Sequence, residues 1–155
     1  MKNLMRLGNE FIESLISYTK NLISPVSQEA EKNSYPENPY NYNPADIQRY
    51  FGTDFITKNG SHYGITENGK FTGKRSIEGA DVMLVAGVEP PYWGHIARCL
   101  IVSENPELKR ELDDLIYSFG QGVRPGLHLV VSLTPEFVER KGRFGIITSP
   151  IASIE

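Results

Sequence analysis

The residues best suited to acid–base or metal chemistry are three histidines, His62, His95 and His128. Imidazole has an ordinary pKa close to neutrality and is the commonest metal ligand. With Asp81 or Glu89 as a carboxylate partner, the histidines could form the site of a small metal-dependent or histidine-based hydrolase. They are spaced about 33 residues apart, however, and none belongs to the close pair that zinc sites usually contain. A hydrolase is therefore the alternative hypothesis, and the sequence favours a protein without catalytic activity.

The single cysteine, Cys99, is not predicted to be a nucleophile. It lies in an apolar run, where a thiol behaves as a small hydrophobic group and lacks the exposed, electropositive setting that activates it. One cysteine cannot form an intramolecular disulfide, which fits a reducing compartment. We therefore expect a cytoplasmic protein, and we predict no cofactor and no metal.

A rigid aromatic loop is the strongest indication of a binding function. Residues 89–94 read Glu-Pro-Pro-Tyr-Trp-Gly and contain the only tryptophan of the chain. The prolines reduce the flexibility of the loop, while Tyr92 and Trp93 combine a large apolar area with a polar tip, which is typical of binding hot spots. Arg124 could add a basic group at the rim. We predict a ligand site at Tyr92, Trp93 and Arg124, against the simpler interpretation that Trp93 only closes the end of a barrel.

Two apolar runs flank this loop, at residues 82–88 and 96–102. Each has about the length of one strand and too few polar positions for a solvated face, so both are predicted as strands buried on two faces. Upstream, Asn59-Gly60 fits the two positive φ angles of a type I′ turn and predicts a β-hairpin. The aromatic loop is thus expected to connect two buried strands.

One helix is clearly predicted within the domain, over residues 106–119. Asn105 is suited to cap its N-terminus and Gly120 to end it, and its charged residues are expected to form a solvated face. Turn signals divide the rest of the domain into short strands, predicted at residues 70–74, 127–133, 137–140, 144–148 and 151–154. The pattern predicts an α+β fold, a small bent antiparallel sheet or β-barrel with one inserted helix.

The first 23 residues carry an apolar stripe that is typical of an amphipathic helix. The stripe consists of Leu4, Leu7, Phe11, Leu15, Tyr18 and Leu22. Residues 24–42 are rich in Ser, Asn, Glu, Pro and Tyr, which predicts a flexible linker. The globular domain is then expected over residues 43–155, opening with a short helix at residues 43–52.

Three partners remain open for this stripe: the core of its own domain, a protein partner or a second copy, and a membrane surface. A helix on a long tether need not pack on its own domain, which favours pairing with another chain. Glu10 and Glu13 on the polar face argue against a membrane, because helices that lie on lipid are usually more basic.

Composition narrows the function further. The 155 residues suit one domain with an appendage. The formal net charge of −3 includes no basic excess of the kind that neutralises phosphates, so a nucleic-acid partner is not expected. No stretch approaches the ~18 consecutive apolar residues of a membrane-spanning helix.

Two short patches resemble the ends of a group of small uncharacterised microbial and phage proteins. In this chain the first patch contains Thr57-Lys58-Asn59, and the second contains Thr148-Ser149-Pro150. The group begins with a Thr-Lys-Asn-Ser-x-Tyr-x-Ile-like strand and ends with a Thr-Ser-Pro-(Val/Ile)-x-x-Ile-like strand, whereas this chain inserts Gly60 and has a longer middle. The resemblance implies one small β domain with paired end strands, and it implies no activity.

Overall fold

The computed structural model describes residues 37–101 and 105–155. These residues form an α+β fold, in which an antiparallel sheet of six strands curls into a half-barrel and is accompanied by three α-helices. The predicted bent sheet is confirmed in this form. The stripe from Leu4 to Leu22, and with it the predicted helix of residues 1–23, lies outside the described residues.

The strand bounds are Thr53–Thr57 (β1), His62–Ile65 (β2), Phe71–Thr72 (β3), Val82–Val88 (β4), His128–Leu133 (β5) and Gly145–Ile154 (β6). Their order in the sheet is β3-β2-β1-β6-β5-β4, and every neighbouring pair is antiparallel. The hairpin predicted at Asn59-Gly60 is confirmed, because β1 pairs with β2. The predicted type I′ turn is wrong, since Gly60 has a positive φ of 88° but Asn59 does not. The predicted end strands also pair, as β1 with β6.

The two edge strands of the sheet, β3 and β4, are joined at one end by backbone hydrogen bonds. The Phe71 amide donates to the Ala80 carbonyl at 2.8 Å, and the Val82 amide donates to the Gly69 carbonyl at 3.0 Å. Between these bonds, Lys70 and Asp81 pair across the bridge. The sheet must therefore curl, since its first and last strands meet.

Strand β5 is buried along its whole length because both of its faces are covered. Leu129, Val131 and Leu133 point into the core inside the curl, so alternation places His128 and Ser132 on the opposite face. Two α-helices cover that opposite face. The sequence prediction that His128 lies on the face opposite Leu129 is thus correct, although the side chain is buried.

The helices are Trp93–Ile101 (α1), Pro106–Phe119 (α2) and Pro135–Lys141 (α3). Helix α2 has the predicted bounds, and the side-chain oxygen of Asn105 accepts the Glu107 amide at 3.0 Å as an N-cap. Helix α1 packs against β6 and α2, and α2 packs against β4 and β5. Within the described residues, no helix is both long and apolar enough to cross a membrane.

The strand predicted at residues 96–102 is wrong, because residues 96–101 belong to α1. A short apolar run cannot be assigned from hydrophobicity alone, since buried helices and buried strands look alike. The missed signal lies upstream: Pro90 and Pro91 begin a 3₁₀ turn, Pro90–Tyr92, which leads directly into α1. Proline favours the first turn of a helix, where its missing N–H costs no hydrogen bond.

The strand predicted at residues 137–140 is also wrong, and the reason is the same. Pro135 stands in the first turn of α3, and Gly142 ends the helix in the left-handed conformation with a φ of 68°. The described part of the domain therefore contains three α-helices rather than one inserted helix. Residues 144–148 and 151–154 belong to one continuous strand, β6.

Of the predicted linker, residues 24–36 lie outside the described residues, whereas residues 37–42 contact the domain. The Asn38 amide nitrogen donates to the Tyr117 carbonyl at 3.0 Å and to the Gly120 carbonyl at 2.8 Å, and so caps the C-terminus of α2. The Tyr42 hydroxyl donates to the Val85 carbonyl of β4 at 2.6 Å. The short helix expected at residues 43–52 is a single 3₁₀ turn, Ile47–Tyr50.

Tyr42→Phe should lower the free energy of unfolding by about 1–2 kcal/mol, because the Val85 carbonyl then loses its donor while the ring remains. Chemical denaturation of the two proteins measures the difference. Tyr117→Phe is the matched control, since the Tyr117 side chain is 42% exposed and its hydroxyl has no hydrogen bond to a described residue. Equal effects of the two substitutions would contradict the assignment.

Candidate functional site

Most of the residues singled out from the sequence meet where β4 ends and α1 begins. Val88, the last residue of β4, pairs with His128 of β5, and Glu89 follows it directly. The 3₁₀ turn that follows ends at Tyr92, and Trp93 is the first residue of α1. We call this region the β4–α1 corner. Its members are Tyr40, Glu89, Tyr92, Trp93, Gln121, Arg124 and His128.

A chain of polar contacts fixes the charged groups of the corner. The Tyr40 hydroxyl and the Gln121 side-chain amide both donate to Glu89 Oε1, the latter at 3.0 Å. On its other side, Gln121 Oε1 accepts from Arg124 Nη2 at 3.1 Å. Gln121 therefore links a carboxylate to a guanidinium and sets the position of both.

Gln121 can do this because its backbone is paired to the sheet. Its amide and carbonyl exchange hydrogen bonds with Gly87 of β4, at 2.8 and 2.7 Å. The residue is 6% exposed, so its side-chain amide is surrounded by protein and has a fixed orientation. The corner is thus attached to β4 at two points, through the chain itself and through Gln121.

These contacts change the acidity of two side chains in opposite directions. The hydrogen bond from Tyr40, followed by that from Gln121, holds the pKa of Glu89 below its usual range. The same hydrogen bond to Glu89 is the main reason that the pKa of Tyr40 is raised. Both shifts favour an ionised Glu89 and a neutral Tyr40 near neutral pH.

The two aromatic residues of the loop have different surroundings. The Tyr92 ring stacks on Phe119 of α2, with centroids 4.5 Å apart and planes inclined by 20°. The Trp93 ring lies 6.4 Å from the ring of His128 and is 37% exposed. Trp93 is not part of the core inside the curl. Tyr92 is thus held by packing, and the indole of Trp93 remains accessible.

The tautomer of His128 follows from one contact. His128 Nδ1 lies 2.7 Å from the Thr148 carbonyl oxygen. A carbonyl can only accept, so in neutral His128 the proton is on Nδ1 and Nε2 is an acceptor. Among the described residues, Nε2 has no hydrogen-bond partner. His128 therefore adds a hydrogen-bond acceptor beneath Trp93.

The other candidate residues lie elsewhere. Asp81 precedes β4 and pairs with Lys70, so the length of the strand separates it from Glu89 by about 25 Å. His62 is exposed on β2. His95 lies on α1, where burial and then Arg98 lower its pKa. In the described part of the chain, no three His, Cys, Asp or Glu side chains are grouped to hold a metal ion.

Cys99 is buried in α1, and burial raises the pKa of its thiol to about 11. The Sγ atom lies 3.7 Å from the His95 carbonyl oxygen. A thiol in this state remains protonated and unreactive at neutral pH. The interpretation of Cys99 as a small hydrophobic group is confirmed.

A buried polar cluster that the sequence did not reveal joins α2 to β5. Ser132 Oγ donates to Asp113 Oδ1 at 2.6 Å, and Lys109 Nζ contacts both Asp113 Oδ2 at 2.5 Å and Ser132 Oγ at 2.9 Å. A serine beside a lysine can be a nucleophile. Ser132, however, is 0% exposed on a strand that is buried along its whole length, where no substrate reaches it. We assign this cluster to the attachment of α2.

The polar face predicted for α2 is therefore only partly solvated. The side chains of Lys109 and Asp113 are 12% and 19% exposed, and Glu111 pairs with buried Arg98 of α1. The (i, i+4) spacing of Lys109 and Asp113 was visible in the sequence, but their shared partner on another element was not. These ion pairs hold α1 and α2 in the positions that form the corner.

A groove with a volume of about 470 Å³ lies away from the corner. Its lining residues are Pro106, Lys109, Pro135, Val138, Glu139, Gly142 and Phe144. Its lysine is already paired with Asp113, and none of the residues predicted to bind or to catalyse lines it. The groove therefore contains none of the candidate residues, most of which lie at the corner.

Comparison of the chain with models of protein families, with curated proteins and with solved structures finds no match in any of the three. We therefore infer function from the residues of the corner. They provide an accessible indole, a fixed carboxylate, an exposed guanidinium and an imidazole acceptor.

Tyr40→Phe should raise the pKa of Glu89 toward its ordinary value, because one of its two donors is lost. A carboxyl carbon NMR titration of Glu89 measures the change. The stability contributed by the low pKa is present above the pKa of Glu89 in the unfolded chain and is lost as the pH falls through the folded-state pKa. The variant should therefore show a weaker loss of stability on acidification.

Tyr63→Phe is the matched control for this titration. The hydroxyl of Tyr63 has no hydrogen bond to a described residue, so its removal should leave the Glu89 midpoint unchanged. An unchanged midpoint in Tyr40→Phe would show that the hydroxyl does not stabilise the carboxylate.

Proposed function

We propose that the globular domain is a non-catalytic binding module that recognises its ligand at the β4–α1 corner through Tyr92, Trp93 and Arg124. The observation that carries the proposal is the exposed indole of Trp93, which begins α1 four residues after Glu89, a carboxylate that Gln121 links to Arg124. Tryptophan and arginine are the residues that most often dominate binding energy.

The rigidity of the corner supports this function. Pro90 and Pro91 restrict the backbone of the 3₁₀ turn, and Tyr92 is held against Phe119. The orientation of Arg124 is restricted by its contact with buried Gln121. A surface that is ordered before binding loses less conformational entropy when a ligand arrives, so more of the contact energy appears as affinity.

A metal-dependent or histidine-based hydrolase remains the alternative, with less support. In its favour, His128 with an unprotonated Nε2 and the carboxylate of Glu89 belong to the same corner. Against it, His62 and Asp81 lie on other parts of the sheet, and the candidate nucleophiles Cys99 and Ser132 are buried. Stoichiometric metal in the purified protein that is lost in His128→Ala would favour the enzyme.

The second part of the proposal concerns the N-terminal stripe and rests on the sequence. We propose that Leu4, Leu7, Phe11, Leu15, Tyr18 and Leu22 bind a protein partner or a second copy of the chain. The domain would then carry the ligand site, and the stripe would bring domains together.

The ligand site is tested by NMR screening of the full chain against peptides and small molecules. Trp93 is the only tryptophan, so its indole N–H gives a single resonance, and we expect binders to shift it. Trp93→Ala should weaken such binders by about tenfold or more. Tyr117→Ala removes another exposed aromatic residue and should have no effect. Binders that shift the groove residues instead, such as Val138 and Phe144, would overturn the site.

The N-terminal stripe is tested by measuring the mass of the full chain in solution. The double variant Leu15→Glu and Leu22→Glu should reduce the average mass, since it introduces charge into the apolar stripe. Glu10→Gln and Glu13→Gln form the control, because they change the polar face only. A wild-type protein that stays monomeric at high concentration, and binds no partner through the stripe, would contradict this part.

A further inference from the structure

We infer that Arg98 is a positioning residue of the β4–α1 corner, an inference that rests on the proposed function of this surface. Through its ion pair with Glu111, Arg98 fixes the rotation of α1 about its axis and the register of α1 along α2. It thereby sets the place of the Trp93 indole, and it does so without stabilising the fold. Three features support this role: the enclosed middle of α1, the apolar composition of the helix, and the buried pair itself.

The middle of α1 is enclosed on every side. Residues 96–99, which read Ile-Ala-Arg-Cys, are all buried. Successive residues of an α-helix are about 100° apart, so four consecutive residues point in all directions around the axis. Arg98 therefore extends its charged group into the interior of the domain, where its side chain is 7% exposed.

Apolar contacts alone do not fix the rotation of this helix. Six of its nine residues are apolar: Trp93, Ile96, Ala97, Cys99, Leu100 and Ile101. Ile101 is 55% exposed, so α1 carries apolar side chains on its outer side as well as on its inner side. Burial of apolar area has no direction, and a rotated α1 would exchange one apolar contact for another. A buried guanidinium, by contrast, is tolerated only where its carboxylate lies, and that defines one orientation.

The pair connects the indole to the sheet through α2. Arg98 lies five residues after Trp93, which is about 7.5 Å along the axis of the same helix. Its partner Glu111 belongs to α2, and α2 is attached to β5 because Ser132 Oγ donates to Asp113 Oδ1 at 2.6 Å. A continuous series of polar contacts thus runs from β5 through α2 to α1, the helix that begins with Trp93.

The pair itself adds little stability. Arg98 Nε is buried and has no hydrogen-bond partner among the described residues. A buried donor without a partner destabilises the folded state, and removal of a guanidinium from water offsets much of its attraction to a carboxylate. A methionine side chain is flexible enough to fill the same space without either penalty. The contribution of Arg98 is therefore to the placement of α1.

The test compares the full chain with the double variant Arg98→Met and Glu111→Gln, in the absence of any ligand. Chemical denaturation measures global stability. Cys99 is the only cysteine and is buried in α1, so its rate of reaction with iodoacetamide measures local opening of this helix. We expect an unchanged or higher denaturation midpoint, combined with alkylation of Cys99 that is faster by about tenfold or more and a broadened or split Trp93 indole resonance.

Two further variants serve as controls. Lys70→Met with Asp81→Asn removes an exposed ion pair that belongs to neither α1 nor α2, and it should leave Cys99 alkylation and the indole resonance unchanged. Arg98→Lys keeps a positive charge that can pair with Glu111, so it should retain slow alkylation.

A lower midpoint with a proportional rise in alkylation, or a double variant that does not fold, would show that the pair only stabilises the domain and would overturn the inference. Unchanged alkylation together with an unchanged indole resonance would overturn it as well. Failure of the binding module is a separate result. If no screened compound shifts the indole while its order still depends on the pair, Arg98 positions α1 but the corner is not a ligand site.

Discussion

The burial of one pair of strands on both faces is the constraint on which the described structure depends. Strands β4 and β5 have the curled core on one side and α1 and α2 on the other. The register makes this compatible with their sequences, because a bulge between Val82 and Leu84 lets both Val82 and Val85 face the core. Without that extra residue, alternation would turn one of these valines toward the helices.

On the side of this pair that faces the helices, the buried polar side chains have fixed hydrogen-bond partners. Ser132 receives the ion pair of α2, and His128 is bonded to the next strand and covered by Trp93. Buried polar groups are tolerated when they are bonded, and then they define one arrangement of the elements. The position of α1, and with it that of the exposed indole, follows from these internal contacts.

The sequence predicted the parts of the fold that depend on local chemistry. Helix α2 was identified because Asn105 and Gly120 bound a clear amphipathic pattern, and the hairpin because Asn59-Gly60 suits a positive φ. Helices α1 and α3 were missed because their apolar runs are short, and in each case a proline in or just before the first turn of the helix was interpreted as loop or turn.

The candidate site was predictable to a similar degree. The type of Trp93 and its rigid loop predict a binding residue, and the sequence also predicts Arg124 as a basic group at its rim. Gln121 and Tyr40 were missed, since a glutamine that bridges two charges, and a tyrosine in a proline-rich stretch that reaches a distant carboxylate, leave no pattern in the sequence. Contacts between side chains far apart in the chain are settled only by the folded sheet.

The link between strands β3 and β4 at Lys70 and Asp81 affects the tendency of the domain to aggregate through its strand edges. Exposed strand edges are the usual templates for fibril growth. In the described part of the chain, the outer edge of β3 bonds to residues 79–80, and β4 is covered by Gly69, Tyr42 and Gln121. Neighbouring molecules therefore find little unpaired backbone there on which to propagate a cross-β stack.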